Sequence, residues 1–370
     1  MEIYRPYGFD KTLFFTTLIL LIIGLIMVFS SSGILASEKY HQPFYFFINQ
    51  IIGAVIGITL IIFIVTLRKP FYQNIYFIYG LLFLSLMLLV LCLLMPAVGN
   101  TNRWIHFFGL RFQPSKLSKI SLILFFSLYL ERKKDKLNEF RTLIFPLSIL
   151  FLFILLIIKE PDYGTAMVIF AICSIVLFMG GVRLKHFLLL GIVSSAFFTF
   201  YLFQANYRMT RIFAFLAPTK DPQGAGFQII QSKLSVGSGG LLGVSIGESI
   251  QKLFFLPCAH TDYIYAIVGE EFGLIGTIAI LLLFLIFFWR GLVISLKAPT
   301  LLSQMAAAGL TLAIFSQALL NISIVLGLGP PTGIPLPLIS FGRSSLICTL
   351  FSIGILLHIS QRRGYIRRKK

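Results

Sequence analysis

Asp262, Glu270 and Glu271 stand at the start and inside of an apolar run, in the stretch LPCAHTDYIYAIVGEEFGLIG from Leu256 to Gly276. Carboxylates so placed can accept protons, ligate cations or cap a helix. An aspartate before an apolar helical run is a good N-cap by default, because its oxygen accepts a hydrogen bond from a free backbone N–H. On a continuous helix Glu270 and Glu271 lie about 12–14 Å beyond Asp262 and about 80° and 180° round from it. One helix therefore cannot gather the three acids, and polar contact with neighbouring helices is the first expectation for the glutamates. Asp162, in KEPDYGT, is another acid at a helix start and has the same capping alternative. His260 reads more readily as a hydrogen-bond partner than as a base. No Ser/His/Asp constellation is visible, and no acid pair has readable glycosidase geometry.

The elements that position these residues are membrane helices. With 58% hydrophobic residues, the chain has too much apolar surface for an ordinary soluble domain. A span needs roughly 20 apolar residues, and about ten such runs can be placed: 12–34, 46–67, 74–96, 114–131, 142–158, 163–181, 186–204, 263–289, 302–327 and 340–360. The expected fold is an all-α integral membrane protein, a polytopic bundle of about ten transmembrane helices forming a single membrane domain over 1–370. The first run exceeds the length of a signal-peptide core and leads directly to more spans, so it reads as a retained helix. Cys92, Cys173, Cys258 and Cys348 have no metal-type spacing and suggest no disulfide framework.

Lys and Arg concentrate at Arg5/Lys11, Arg68/Lys69, Arg132 to Arg141, Arg183/Lys185, Arg290/Lys297 and the tail from Arg362 to Lys370. With ten spans these segments share one face, which the positive-inside rule assigns to the cytoplasm along with both termini. The net charge of +18 is then mostly topogenic and requires no nucleic acid. Arg103, Arg111, Lys116, Lys119, Lys159, Arg208, Arg211, Lys220, Lys233, Lys252 and Arg343 fall toward the other face. Two readings stand side by side for them: headgroup contacts and pairing with local acids, or a site for a phosphate-bearing lipid.

The one long connection, 205–262, lies between the seventh and eighth spans and is expected on the extracytoplasmic side. Helix-like stretches occur near 207–215 and 227–235, Asp221 to Gly224 has turn chemistry, and several glycines follow. It reads as a re-entrant or interfacial segment beside the bundle.

HTDYIYAIVGEEFG (260 to 273), GSGGLLG, RWIHFFGLRFQPSKLSK (103 to 119), EPDYGT (160 to 165) and PPTGIPLPLISFGRSS (330 to 345) together resemble the SEDS glycosyltransferases of shape, elongation, division and sporulation. The likeness runs through nearly the whole chain in order, and the outer loop looks more like the FtsW division branch than the RodA elongation branch. The resemblance implies an inverting polymerase of lipid II in the bacterial cytoplasmic (inner) membrane. Its active face would be extracytoplasmic. The implied partners are a class B penicillin-binding protein transpeptidase and membrane proteins of the divisome or elongasome.

By that resemblance Asp262 matches the family's essential aspartate, as general base. Trp104, Arg111, Gln113, Ser115, Lys119 and Asp162 match its substrate-site segments, with Arg111 and Lys119 expected at the pyrophosphate. Lys233, Lys252 and His260 are further substrate-contact candidates, and Glu270 and Glu271 match an acidic pair with a supporting role. A divalent cation, Mg or Mn, is the supplement the resemblance suggests, with no ligand assigned. Lys116 and Cys258 stand where the family has Glu, and Arg343 where it has Gly. Two other readings compete: a flippase for the lipid-linked precursor, and a non-catalytic scaffold for a penicillin-binding protein. No inverted repeat is evident to favour the flippase.

Overall fold

The computed structural model describes residues 8–95, 103–107, 110–137, 139–204 and 206–362. Arg5, Ala205 and tail residues 363–370, used in the sequence reading, lie outside them. The described residues form twelve α-helices and one short hairpin. In chain order these are α1 (Lys11–Tyr40), α2 (Tyr45–Thr66), α3 (Ile75–Leu94), β1 (Ile105–Phe107), β2 (Leu110–Phe112), α4 (Pro114–Lys133), α5 (Phe140–Lys159) and α6 (Tyr163–Met179). There follow α7 (Leu184–Phe203), α8 (Asn206–Leu216), α9 (Phe227–Ser238), α10 (Ile264–Leu296), α11 (Leu301–Val325) and α12 (Arg343–Ser360).

Each expected span falls on a helix. Eight helices are long and apolar enough to cross a membrane by length and composition. The other two expected spans differ for visible reasons: α6 has only 17 residues, and α4 carries Lys116, Lys119, Glu131, Arg132 and Lys133. The protein is an all-α multi-pass membrane protein.

Helices α4, α11 and α12 form the centre. Small residues Ala306, Ala307, Ala308 and Gly309 on α11 let neighbours approach closely, as packing without a hydrophobic driving force requires. A Cβ at Gly309 would stand 2.6 Å from Ile123 of α4. By contrast α7 lies at the periphery, with Phe198 its single buried residue, so its apolar surface faces lipid.

The eighth expected span is not one continuous helix. At Gly273 α10 breaks, with φ 64° and ψ −160°, a conformation open to glycine because it lacks a Cβ. The break frees backbone groups, each costing several kcal/mol if left unpaired in a membrane. Residues 240–245 supply the partners: Val244 N–H donates to Glu270 O (3.0 Å) and Ser245 N–H to Glu271 O (3.3 Å). In return Leu274 N–H donates to Gly240 O (2.9 Å) and Ile275 N–H to Leu241 O (3.3 Å). The chain between α7 and α10 is thereby stitched into the bundle wall. Its helices α8 and α9 cover the two helix-like stretches seen in the sequence, and Asp221 makes the turn, accepting from Gly224 N–H (3.0 Å) and Ala225 N–H (2.9 Å).

Candidate functional site

Asp262 lies in the turn before α10, whose N-cap is Tyr263 and has no side-chain cap bond. The capping alternative for Asp262 is therefore excluded. Three contacts fix the turn from below. Asn321 of α11 donates to the Asp262 carbonyl (2.7 Å), Ser340 Oγ donates to the Thr261 carbonyl (2.5 Å), and Phe341 N–H donates to the His260 carbonyl (3.0 Å). Gln50, fully buried on α2, holds the 340–342 turn in place by bonds to Ser340 O and Gly342 N–H (3.1 Å each).

The Asp262 carboxylate itself has no hydrogen-bond partner among the described residues. It faces a cavity of about 130 Å³ lined also by Arg211, Gln228, Tyr263, Asn321 and Gly333. Burial pushes the carboxyl above the ordinary aspartate range, while Lys116, Arg211 and Arg103 pull the other way. Such a group is a stronger base than a solvated aspartate yet is kept in reach of ionisation by cations.

A second acid stands nearby. Asp162 caps α6 through Oδ1, which accepts from Thr165 N–H (3.3 Å). Its Oδ2 accepts from Gln113 Nε2 (2.8 Å) and Ser115 Oγ (3.5 Å), so three expected site residues meet. Arg103 donates from Nε to the Glu160 carbonyl (3.1 Å) and from its terminal nitrogen to the carbonyl of Pro161, the residue before Asp162. Glu160 is fully buried, and burial with the neighbouring Asp162 charge raises its carboxyl to about 9.

The remaining candidates are dispersed. Trp104 is 37% exposed beside the hairpin, and Arg111 on β2 is exposed. Lys119 does not reach the cavity: its Nζ donates to Gln317 Oε1 (2.8 Å) inside the bundle, and Gln317 in turn donates to the Pro335 carbonyl (2.9 Å). Lys233 is exposed on α9, against Gly327. Lys252 is a buried ion-pair partner of Glu271 (2.9 Å) and also donates to Ser30 (3.2 Å), so the expectation of an anion contact is corrected. His260 packs against Phe46 and Phe341, and burial with nearby Lys39 holds its imidazole down at about 4, neutral at ordinary pH. Glu270 accepts from Ser235, Ser249 and the amides of Ile250 and Gln251, fastening the segment before α10 to that helix.

Arg211 and Asn321 were not among the sequence-derived site residues. Arg211 offered the signal of a basic residue on the amphipathic helix α8; Asn321, inside an apolar helix, offered that of a polar group at depth. Arg343, for which headgroup contact and a charge role at the site were both open, donates to Asn49 (3.0 Å) of α2.

The donor set does not suit a tightly held divalent cation. Among the described residues no group of three or more His, Cys, Asp or Glu converges to hold a metal. Arg211 shares the Asp262 cavity, and Lys116 and Arg103 add to the positive field on its carboxyl against one further acid, Asp162.

The whole arrangement has counterparts. A family model described as "Cell cycle protein", for FtsW, RodA and SpoVE, matches residues 11–365. Stage V sporulation protein E of Bacillus subtilis (strain 168) is 40% identical, the match covering 96% of this chain and 98% of that protein. A probable peptidoglycan glycosyltransferase FtsW of Geobacter sp. (strain M18) is 38% identical, covering 97% and 98%. Among solved structures, one chain of a peptidoglycan synthase complex, described as coordinating polymerization and crosslinking, superimposes with a TM-score of 0.78 at 26% identity, covering 96% and 99%. Rod shape determining protein RodA of Thermus thermophilus shares the fold, with a TM-score of 0.69 at 24% identity, covering 96% and 98%. Matched from end to end in sequence and in fold, the chain belongs to the FtsW/RodA/SpoVE family of cell cycle proteins, the SEDS family.

Proposed function

We propose that this protein is a peptidoglycan glycosyltransferase that polymerises lipid II on the outer face of the cytoplasmic membrane during cell division, with Asp262 as its general base. The observation that carries this reading is the unengaged Asp262 carboxylate facing a cavity within the field of Lys116, Arg103 and Arg211. The family and the glycosyltransferase names of its relatives support the reaction class.

In the proposed step, Asp262 takes the proton of the acceptor sugar's 4-hydroxyl as that oxygen forms a bond to the donor's anomeric carbon. The bond from that carbon to the lipid pyrophosphate breaks on the opposite side, inverting the centre, and its electron pair leaves with the pyrophosphate. The leaving group needs charge neutralisation rather than a proton, which Arg103, Arg211 and exposed Arg111 would provide. The nearby Asp162, Gln113 and Ser115 position this wall of the site. Both termini would then be cytoplasmic, with segment 206–262 outside, and a class B penicillin-binding protein would cross-link the product; the synthase complex among the structural relatives supports such pairing.

The test is glycan-chain formation from purified lipid II by the chain co-purified with its penicillin-binding partner, comparing wild type with Asp262→Asn. Synthesis by wild type alone is expected. Synthesis by both would move the base elsewhere, and failure of a correctly partnered wild type would leave the flippase or scaffold reading.

A further inference from the structure

The cavity that Asp262 faces holds more polar groups than the proposed proton transfer uses. Tyr263 lies on its wall and is only 3% exposed, and its hydroxyl is buried with no hydrogen-bond partner among the described residues. A buried donor left unpaired is costly, and folded proteins keep few of them. Asn321, on the same wall, carries a second such atom. Its amide nitrogen faces the carbonyls of Asp262 and Ile334, at 2.7 Å each. Both partners are acceptors, so Oδ1 is the end turned away from them, buried and unpaired among the described residues. Gln228 of α9 brings a further amide to the wall, with both donor and acceptor. Gly333 brings bare main chain: it has φ 73°, and a Cβ there would stand 3.6 Å from Asp262 Oδ2.

This mixture of donors and acceptors selects the chemistry of a ligand. An acyl chain would leave every one of these groups unpaired. A pyrophosphate offers acceptors only, so it has nothing to give Asn321 Oδ1 and is repelled by the Asp262 carboxylate. The hydroxyl and amide groups of a sugar ring donate and accept at once, and so match both kinds of wall group. Arg211 also lines the cavity but is itself exposed, so a pyrophosphate can meet it outside a ring-sized pocket.

We infer that the Asp262 cavity receives a sugar ring and not the pyrophosphate, and that Tyr263 is a substrate-binding residue whose hydroxyl donates to an oxygen of that sugar. The inference rests on the polymerase reading for the identity of the ring, the acceptor sugar of lipid II.

Tyr263→Phe keeps the aromatic ring and removes only the hydroxyl. Equilibrium binding of lipid II is measured on the partnered complex in an Asp262→Asn background, where turnover is not expected, with and without Tyr263→Phe. The added substitution is expected to weaken binding by about five- to thirtyfold. The melting temperature without lipid II should stay equal or rise, because an unpaired buried hydroxyl has been removed. With Asp262 intact, Tyr263→Phe should lower kcat/KM over the same range. Unchanged binding overturns the inference. A lowered melting temperature in the absence of lipid II overturns it too, since the hydroxyl would then be serving the fold.

Inorganic pyrophosphate separates the two parts of the substrate. Its inhibition constant against lipid II binding should be the same with and without the Tyr263 hydroxyl. A selective loss of pyrophosphate competition in Tyr263→Phe would put the pyrophosphate in the pocket and overturn the assignment. If wild type binds lipid II yet forms no glycan under any condition, the proposed function fails while the paired binding measurements still decide the role of Tyr263.

Discussion

The side-chain amide of Asn321 donates to the main-chain carbonyls of Asp262 and Ile334, at 2.7 Å each, tying the turn before α10 to the segment that closes the cavity. One side chain thereby sets where the carboxylate stands. Asn321→Ala would leave two carbonyls unpaired, at about 1–3 kcal/mol each where water cannot replace the donor. Polymerisation should fall by about 10- to 100-fold through misplacement of Asp262. The measurement is kcat with lipid II at constant partner occupancy, and unchanged kcat would remove Asn321 from the positioning of the site.

On the proposed mechanism, the pH dependence of the reaction follows from Asp262. A base must be deprotonated to act, so activity is present above its folded pKa and lost as pH falls through it. Burial raises that pKa, hence the acid limb should lie above the ordinary aspartate range. A pH–rate profile flat down to the range of a solvated aspartate would contradict this.

Glu160 offers a control with a different sign. Its carboxyl is raised from 4.5 to about 9, so the folded protein holds a proton that the unfolded chain releases. Its contribution is neutral below the unfolded value and increasingly destabilising as pH rises toward 9. Glu160→Gln mimics the protonated acid, so polymerisation at neutral pH should change little. The variant should gain thermal stability over wild type as pH rises from about 5 to 9. Parallel melting curves at every pH would refute the assignment.

Lys252 and Glu271 form a buried pair, with side chains 5% and 0% exposed. Removing one partner strands a charge, at about 3–5 kcal/mol. Glu271→Gln or Lys252→Met alone should therefore lower the melting temperature sharply, and the double variant should recover much of the loss. Additive losses in the double variant would show that the two groups do not act as a pair.

The helices were legible because twenty-residue apolar runs have few alternatives in a chain of this composition. Asp262 was legible as an acid at a helix start within a stretch that resembles a family motif, and its place against Arg211 was not, because that cavity joins residues distant in sequence. Lys252 and Lys233 could not be told apart by pattern: one is buried in an ion pair, the other exposed, and only the path of the segment between α7 and α10 decides it. Lys119 was misread for a similar reason, since Gln317, its partner, lies 198 residues away. The hairpin β1–β2 escaped notice because three-residue strands carry too little alternation to register. The break at Gly273 was hidden because a lone glycine in a long helical pattern does not by itself mark an interruption.

That break makes part of the information in the segment before α10 main-chain rather than side-chain. Residues 240–245 hold α10 through amides and carbonyls, while the side chains of Leu241 and Leu242 point away, 68% and 78% exposed. A Cβ at Gly273 would meet Gly243 N and Leu241 O at 2.5 Å, and one at Gly243 would meet Glu271 O at 2.1 Å. Substitutions can therefore accumulate on the outward side chains without altering the joint, whereas a single methyl group at either glycine would pry apart the support on which the Asp262-bearing end of the helix rests.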